Sequence, residues 1–193
     1  MYIKLTIILT LATLIGCNYS KTPTSLTKLD QFAKSADSLP SSPSLFDSIS
    51  SELSNSSFKV RQGDIKTNGD TRSKRFIYGT KSIEHFPDSS CYLILTEYSS
   101  NRNAAFAFRK NVISKAIHIS GQDSAKLLNL ENIKSKGQRA STTIVFENLI
   151  FDFTPSKTEL NNNVINYTRD KILFKKKYLR LDMTNDGNVI WIK

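Results

Sequence analysis

The chain has 193 residues, 27 Lys and Arg against 17 Asp and Glu for a net charge of +10, 39% hydrophobic residues and two cysteines. That length carries one domain with a real core, and Cys17 and Cys91 as the only cysteines exclude a disulfide-dense scaffold. Two histidines in different segments, no HExxH or CxxC spacing and seven scattered glycines give no basis for a zinc site or a glycine-rich phosphate loop, so no metal and no cofactor is expected.

The chain opens MYIKLTIILTLATLIGCNYS. One cation, Lys4, precedes an uncharged apolar run from Leu5 to Ile15, which is shorter than the roughly 20 residues of a membrane-spanning helix. A cationic start, an apolar middle and small residues before a cut make a secretory signal. The run stops at Cys17, which has three readings: half of a disulfide, a reactive thiol, or a residue exposed by processing. Leu14-Ile15-Gly16-Cys17 resembles the lipobox of bacterial lipoproteins, in which an aliphatic residue, a small or aliphatic residue and Gly or Ala precede the Cys. The resemblance covers residues 1–17. It implies that residues 1–16 are removed and that Cys17, with a diacylglycerol on its sulfur and often an acyl chain on its amine, becomes the first mature residue and the anchor. One acyl chain, at about 0.8 kcal/mol per buried CH₂, holds marginally, and a second makes attachment stable. Asn18 stands where many inner-membrane lipoproteins carry an acidic residue, so the periplasmic face of the outer membrane is favoured if the cell is Gram-negative.

Residues 17–42 read as a tether rich in Ser, Thr, Lys, Asp and Pro, too poor in apolar surface to offset the entropy of ordering. Leu26, Leu29, Phe32, Ala33 and Ala36 nonetheless fall near helical spacing, which allows a short transient or docked helix in a stretch expected to be weakly ordered. Residues 43–193 form the globular part. Ser44 is placed to cap a helix through LFDSISSEL, with Leu45, Phe46, Ile49 and Leu53 as its buried stripe and Asp47 near its positive end. FKVRQ, KRFIYG and CYLILTEY read as strands and GDIKTNGDTRS as a loop. Ser99 or Ser100 caps a helix from Asn101 to about Ile117, with Ala105, Phe108, Val112 and Ala116 on its buried side and Arg102, Arg109, Lys110 and Lys115 on its other side.

STTIVFENLIFDFTP reads as a hairpin turning at Glu147-Asn148 with one buried face. Ser156 and Glu159 have capping-box spacing, and Leu160, Val164, Tyr167 and Lys171 share a helical face. KKYLRLDMTNDGNVIWIK closes the chain as a hairpin, with Asn185-Asp186-Gly187 in the turn. The expected fold is a single α+β domain, an antiparallel sheet of about five to seven strands with two or three packed helices and a C-terminal β-hairpin.

Several patterns that carry chemistry elsewhere do not carry it here. Asp64 to Asp70 follows half of a calcium loop, but Lys66 stands at a ligand position and Arg75 where a bidentate Glu belongs, which makes it a turn. Ser25-Leu26-Thr27-Lys28 matches SxxK by spacing alone and sits in the tether. Glu84 and His85 are adjacent and so point to opposite faces of an extended segment. Cys91, within an apolar run, reads as a buried small hydrophobe.

What remains is basic surface: Arg102, Arg109, Lys110 and Lys115, then Lys175, Lys176, Lys177 and Arg180. The positive excess belongs to the second half, since residues 17–100 hold 10 basic and 9 acidic groups, residues 101–140 hold 8 and 2, and residues 157–193 hold 8 and 4. Such a surface suits an acidic protein or anionic lipid, and export removes nucleic acid as a partner. The expected function is a lipid-anchored, non-enzymatic binding or stabilising domain at the envelope membrane. An immunity or inhibitor lipoprotein against an exported toxin is the alternative, and a hydrolase of envelope polymers using His85, Glu97 or Asp152 is the third.

Overall fold

The computed structural model describes residues 31–32, 34–35, 45–79, 90–120, 141–155, 159–183 and 189–192, without the side chains of 113–120, 155, 183 and 189–192. In chain order the elements are α1 (Phe46–Ser54), β1 (Lys59–Gln62), β2 (Lys66–Asn68), β3 (Thr71–Gly79), β4 (Cys91–Glu97), α2 (Asn101–Ser120), β5 (Ser141–Phe146), β6 (Leu149–Pro155), α3 (Glu159–Tyr167) running into a π-turn (Thr168–Ile172), β7 (Leu179–Met183) and β8 (Val189–Ile192). The fold is a single α+β domain: seven strands lie abreast in the order β1-β3-β4-β6-β5-β7-β8, with β2 beside β3 as a short continuation of the β1 edge. Every pairing is antiparallel, and β7 with β8 makes the C-terminal hairpin.

The stretch read as a loop, GDIKTNGDTRS, is a strand and a turn instead. Between the pairs Gln62↔Phe76 and Lys66↔Ser73 the edge carries Gly63, Asp64 and Ile65 against only Lys74 and Arg75, a β-bulge held by the Gly63 amide donating to the Arg75 carbonyl at 2.9 Å. Asn68 then pairs with Thr71 across a two-residue turn in which Gly69, at φ +55°, takes the left-handed conformation without a Cβ penalty. All three residues of β2 are exposed, so no apolar alternation marked it as a strand.

Helices cover both faces of the sheet. On one face, α1 supplies Phe46, Ile49 and Leu53, and α3 with its π-turn supplies Leu160, Val164, Ile165 and Ile172, over Phe76, Tyr78, Leu93, Leu95, Ile144, Phe151 and Phe153. On the other, Ala104, Phe108 and Val112 of α2 pack on Val145, Ile150 and Leu181. The expectation of one buried face for the β5–β6 hairpin is therefore corrected. Thr142 to Phe146 are all buried, because side chains that alternate between faces meet a helix on either side.

The helix ends follow local chemistry. Ser100 Oγ accepts from the Asn103 amide at 3.1 Å, and Ser99 Oγ accepts from Asn103 Nδ2 at 2.8 Å, so the expected cap of α2 is present. Before α1, Leu45 has helical dihedrals and no capping bond, while Ser44 lies outside the described residues, as do Ser156 and the Asn185-Asp186-Gly187 turn. In α3, Leu160, Val164 and Tyr167 pack inward as expected but Lys171 is exposed. The Leu173 amide bonds the Thr168 carbonyl five residues back, and this wider turn carries the buried stripe to Ile172 and leaves Lys171 outside. Phe32, inside the stretch read as tether, sits in a helical segment and meets Phe108 of α2 edge-on at 6.2 Å.

Phe151 is fully buried on the central strand β6, whereas Ile65 in the edge bulge is 47% exposed. In urea denaturation of residues 17–193, Phe151→Ala is expected to cost about 3–5 kcal/mol and Ile65→Ala no more than about 0.5 kcal/mol. Similar losses for the two would contradict this placement of the core.

Candidate functional site

The strand register gathers several loops at one end of the sheet. β4 finishes there at Glu97, β3 begins there opposite it at Arg72, the β5–β6 turn at Glu147-Asn148 lies there, and β7 starts there with Leu179 opposite Val145. The chain leaving β4 is tied to that turn: the Tyr98 amide donates to the Asn148 carbonyl and Asn148 Nδ2 donates to the Tyr98 carbonyl, both at 2.9 Å. Glu147 takes φ 50°, unusual for a residue with a Cβ. α2 thus begins, and α3 with its π-turn ends, at the same end of the sheet and on opposite faces of it.

The loop from the π-turn to β7 is built on a buried base and has an exposed tip. Leu173 is buried, and the Lys176 amide donates to its carbonyl at 2.9 Å, closing a turn with Phe174 and Lys175 at its centre. Lys175 has φ +58° at the position where such turns favour Gly or Asn. Phe174 is 61% exposed, and Lys175 Nζ stands 5.1 Å from its ring centre. Lys176 and Lys177 follow, both exposed.

Near the start of α2 a similar pair occurs. Arg102 is exposed with its guanidinium 5.5 Å from the ring centre of Phe106, itself 48% exposed. Lys110 is exposed and Arg109 half-buried on the same outward side of the helix, while Lys115 lies in the helix with its side chain outside the described set. Arg180 does not belong with these cations. Its guanidinium makes two bonds to Asp182, at 2.8 and 2.7 Å, and Thr142 Oγ1 donates to the same carboxylate at 2.8 Å, a half-buried cluster in which the Arg180 charge is matched. The sequence signal for this pairing is Asp182, two positions along the strand and so on the same face as Arg180.

The acidic residues considered for hydrolysis do not converge. Glu97 belongs to the face covered by α1 and accepts from Arg72 Nε at 2.7 Å. Arg72 also reaches Asp47 of α1 at 3.3 Å and lies over the Phe46 ring at 4.7 Å, and its bond to Glu97 is the main cause of its raised pKa. Asp152 pairs with Ile94, an odd number of residues from Glu97, and so belongs to the opposite face, where it accepts from Thr143 Oγ1 at 2.9 Å. His85 and His118 cannot be added to this picture: His85 and the His118 side chain lie outside the described residues.

Cys91 is buried, and its thiol donates to Asn161 Oδ1 at 3.2 Å. Tyr98, by burial and by the neighbouring Asp152 carboxylate, also has its pKa raised. Among the described residues no group of three His, Cys, Asp or Glu side chains could hold a metal ion, and no helix is long and apolar enough to cross a membrane. Comparison with protein-family models, with curated proteins and with solved structures gave no match.

Burial pushes the Cys91 thiol up to about 12. An unfolded thiol ionises near about 8.5, so the unfolded state loses this proton first. The resulting stability is complete below that value and is lost as pH rises toward the folded value. With Cys17→Ser leaving one thiol, Cys91 is expected to react with a disulfide reagent at pH 8 at least about 100-fold more slowly than in denaturant, because the thiolate is the reactive form. Equal rates would contradict the burial.

Proposed function

We propose that the chain is a bacterial lipoprotein, cut before Cys17 and anchored through acyl chains on that residue, whose globular part is a non-enzymatic binding or stabilising domain at the envelope membrane. The observation that carries this reading is Leu14-Ile15-Gly16-Cys17 at the end of an uncharged apolar run and ahead of a polar stretch. Asn18 favours the periplasmic face of the outer membrane in a Gram-negative cell.

The side chains support a binding role. The two described carboxylates considered for hydrolysis are engaged in structural contacts, Glu97 with Arg72 and Asp152 with Thr143, as is Asp182 with Arg180 and Thr142. The Cys91 thiol is buried and protonated at neutral pH, the opposite of an activated nucleophile. The cationic and aromatic side chains, by contrast, stand exposed at Phe106 and at the Phe174 turn, where a surface partner can reach them.

Cells fed a clickable palmitate analogue are expected to label the wild-type protein at Cys17 and to leave Cys17→Ala unlabelled and largely absent from the membrane fraction. Mass spectrometry of the mature N-terminus reads the same point independently. An unmodified N-terminus at a residue other than Cys17, or labelling that persists in Cys17→Ala, would overturn the reading.

A further inference from the structure

We propose that the end of the sheet bearing the Phe174-Lys175-Lys176-Lys177 turn and the Arg102/Phe106 pair is a contact surface for anionic phospholipid. This deepens the lipoprotein reading and rests on it for the source of the membrane, though not for its own test.

Four observations carry the proposal. First, an aromatic ring and three successive lysines are presented on one tight turn whose base, Ile172 and Leu173, is buried, so the tip is held outward by the core. An apolar ring beside cations is the pattern that binds at the boundary between head groups and acyl chains. Second, the tip is conformationally costly. Lys175 occupies φ +58° without being Gly or Asn, a type of strain that recurs where a loop serves binding.

Third, the second pair stands at the same end of the sheet. Arg102 opens α2 just after β4, and Lys177 precedes β7; β4 and β7 are three strand spacings apart, about 14 Å. One flat surface can therefore meet both. The acidic groups at this end among the described residues are Asp70 and Glu147 in the turns, Glu97 and Asp47, both bonded to Arg72, and Asp170, bonded to Arg169, while Lys175, Lys176 and Lys177 follow one another without an acid between them. The surface thus complements a negative one.

Fourth, the chain between the anchor and the domain reaches this end. Phe32 docks beside Ala105 and Phe108 in the first half of α2, and thirteen residues separate Cys17 from Gln31. Fully extended, that chain spans at most about 50 Å. A membrane holding Cys17 is thereby kept at high effective concentration around the start of α2. A lipid anchor together with a basic patch is the two-signal arrangement that gives firm attachment.

The test uses the mature chain from residue 17 carrying Cys17→Ser, so that no acyl chain contributes, and vesicles of phosphatidylcholine with or without about 30% phosphatidylglycerol. Sedimentation is expected to show binding only to the anionic vesicles, falling steeply between 0.05 and about 0.5 M salt. Lys175→Gln/Lys176→Gln/Lys177→Gln is expected to weaken partitioning on the order of 100-fold, and Phe174→Ala roughly tenfold, with unfolding midpoints unchanged. Lys59→Gln/Arg61→Gln/Lys66→Gln removes the same charge from the β1–β2 edge and should lower binding only a few-fold. Absence of binding to anionic vesicles overturns the proposal, as does an equal loss from the two triple variants, which would mean net charge alone. An acidic envelope protein that requires Lys175 to Lys177 while vesicles are not bound would assign the surface to that protein. Because Cys17 is already replaced, failure here leaves the labelling result at Cys17 unaffected, and failure of the labelling leaves this result standing.

Discussion

The seven-residue pairing of β4 with β6 is the constraint on which the rest depends. It joins an N-terminal half, in which β1, β2, β3 and β4 are neighbours along the chain, to a C-terminal half led by the β5–β6 hairpin. Pairing segments that lie more than 50 residues apart costs loop-closure entropy, which grows only slowly with length. Burial offsets that cost here, since Leu93, Leu95, Phe151 and Phe153 all become fully buried on the two strands. Once this register is set, Tyr98 faces Asn148, α2 must start at that end of the sheet, and the turn before β7 must lie at the same end.

The polar contacts secure what burial assembles. Arg72 joins three elements through Glu97, Asp47 and the Phe46 ring, so α1 is fixed to the sheet by charge as well as by its apolar stripe. Thr142, Asp182 and Arg180 do the same between β5 and β7. Removing one partner of such a part-buried pair would leave the other charge uncompensated, which is the expensive change. The aromatic–cation pairs differ in placement. Phe46 is buried beneath Arg72, while Phe106 beside Arg102 and Phe174 beside Lys175 are exposed rings.

Much of the fold was legible because the core strands announce themselves. The apolar richness of CYLILTEY and STTIVFENLIFDFTP and the spacing of Phe108 and Val112 place β4, β5, β6 and α2 closely. Three features were hidden for physical reasons. β2 is wholly exposed and carries no apolar alternation. The second buried face of β5 depends on α2 crossing it, a tertiary fact no local pattern records. The π-turn shifts the buried stripe from Lys171 to Ile172 by a hydrogen bond that periodicity cannot foresee. At the candidate surface, the lysines were legible as charge, but the outward Phe174, the strain at Lys175 and the loss of Arg180 to Asp182 required the backbone.

In the proposed arrangement Cys17 holds the protein at a membrane; Phe32 meets α2, and the start of α2 shares an end of the sheet with the Phe174 turn. Hydrogen–deuterium exchange on the lipidated protein in anionic nanodiscs, compared with the protein in detergent, tests that chain most directly. The account expects slowed exchange at residues 99–106 and 174–178, with the far end of the sheet around Cys91 and Ser141 unchanged. Slowing centred on the β1–β2 edge, or no difference anywhere in the domain, would contradict it.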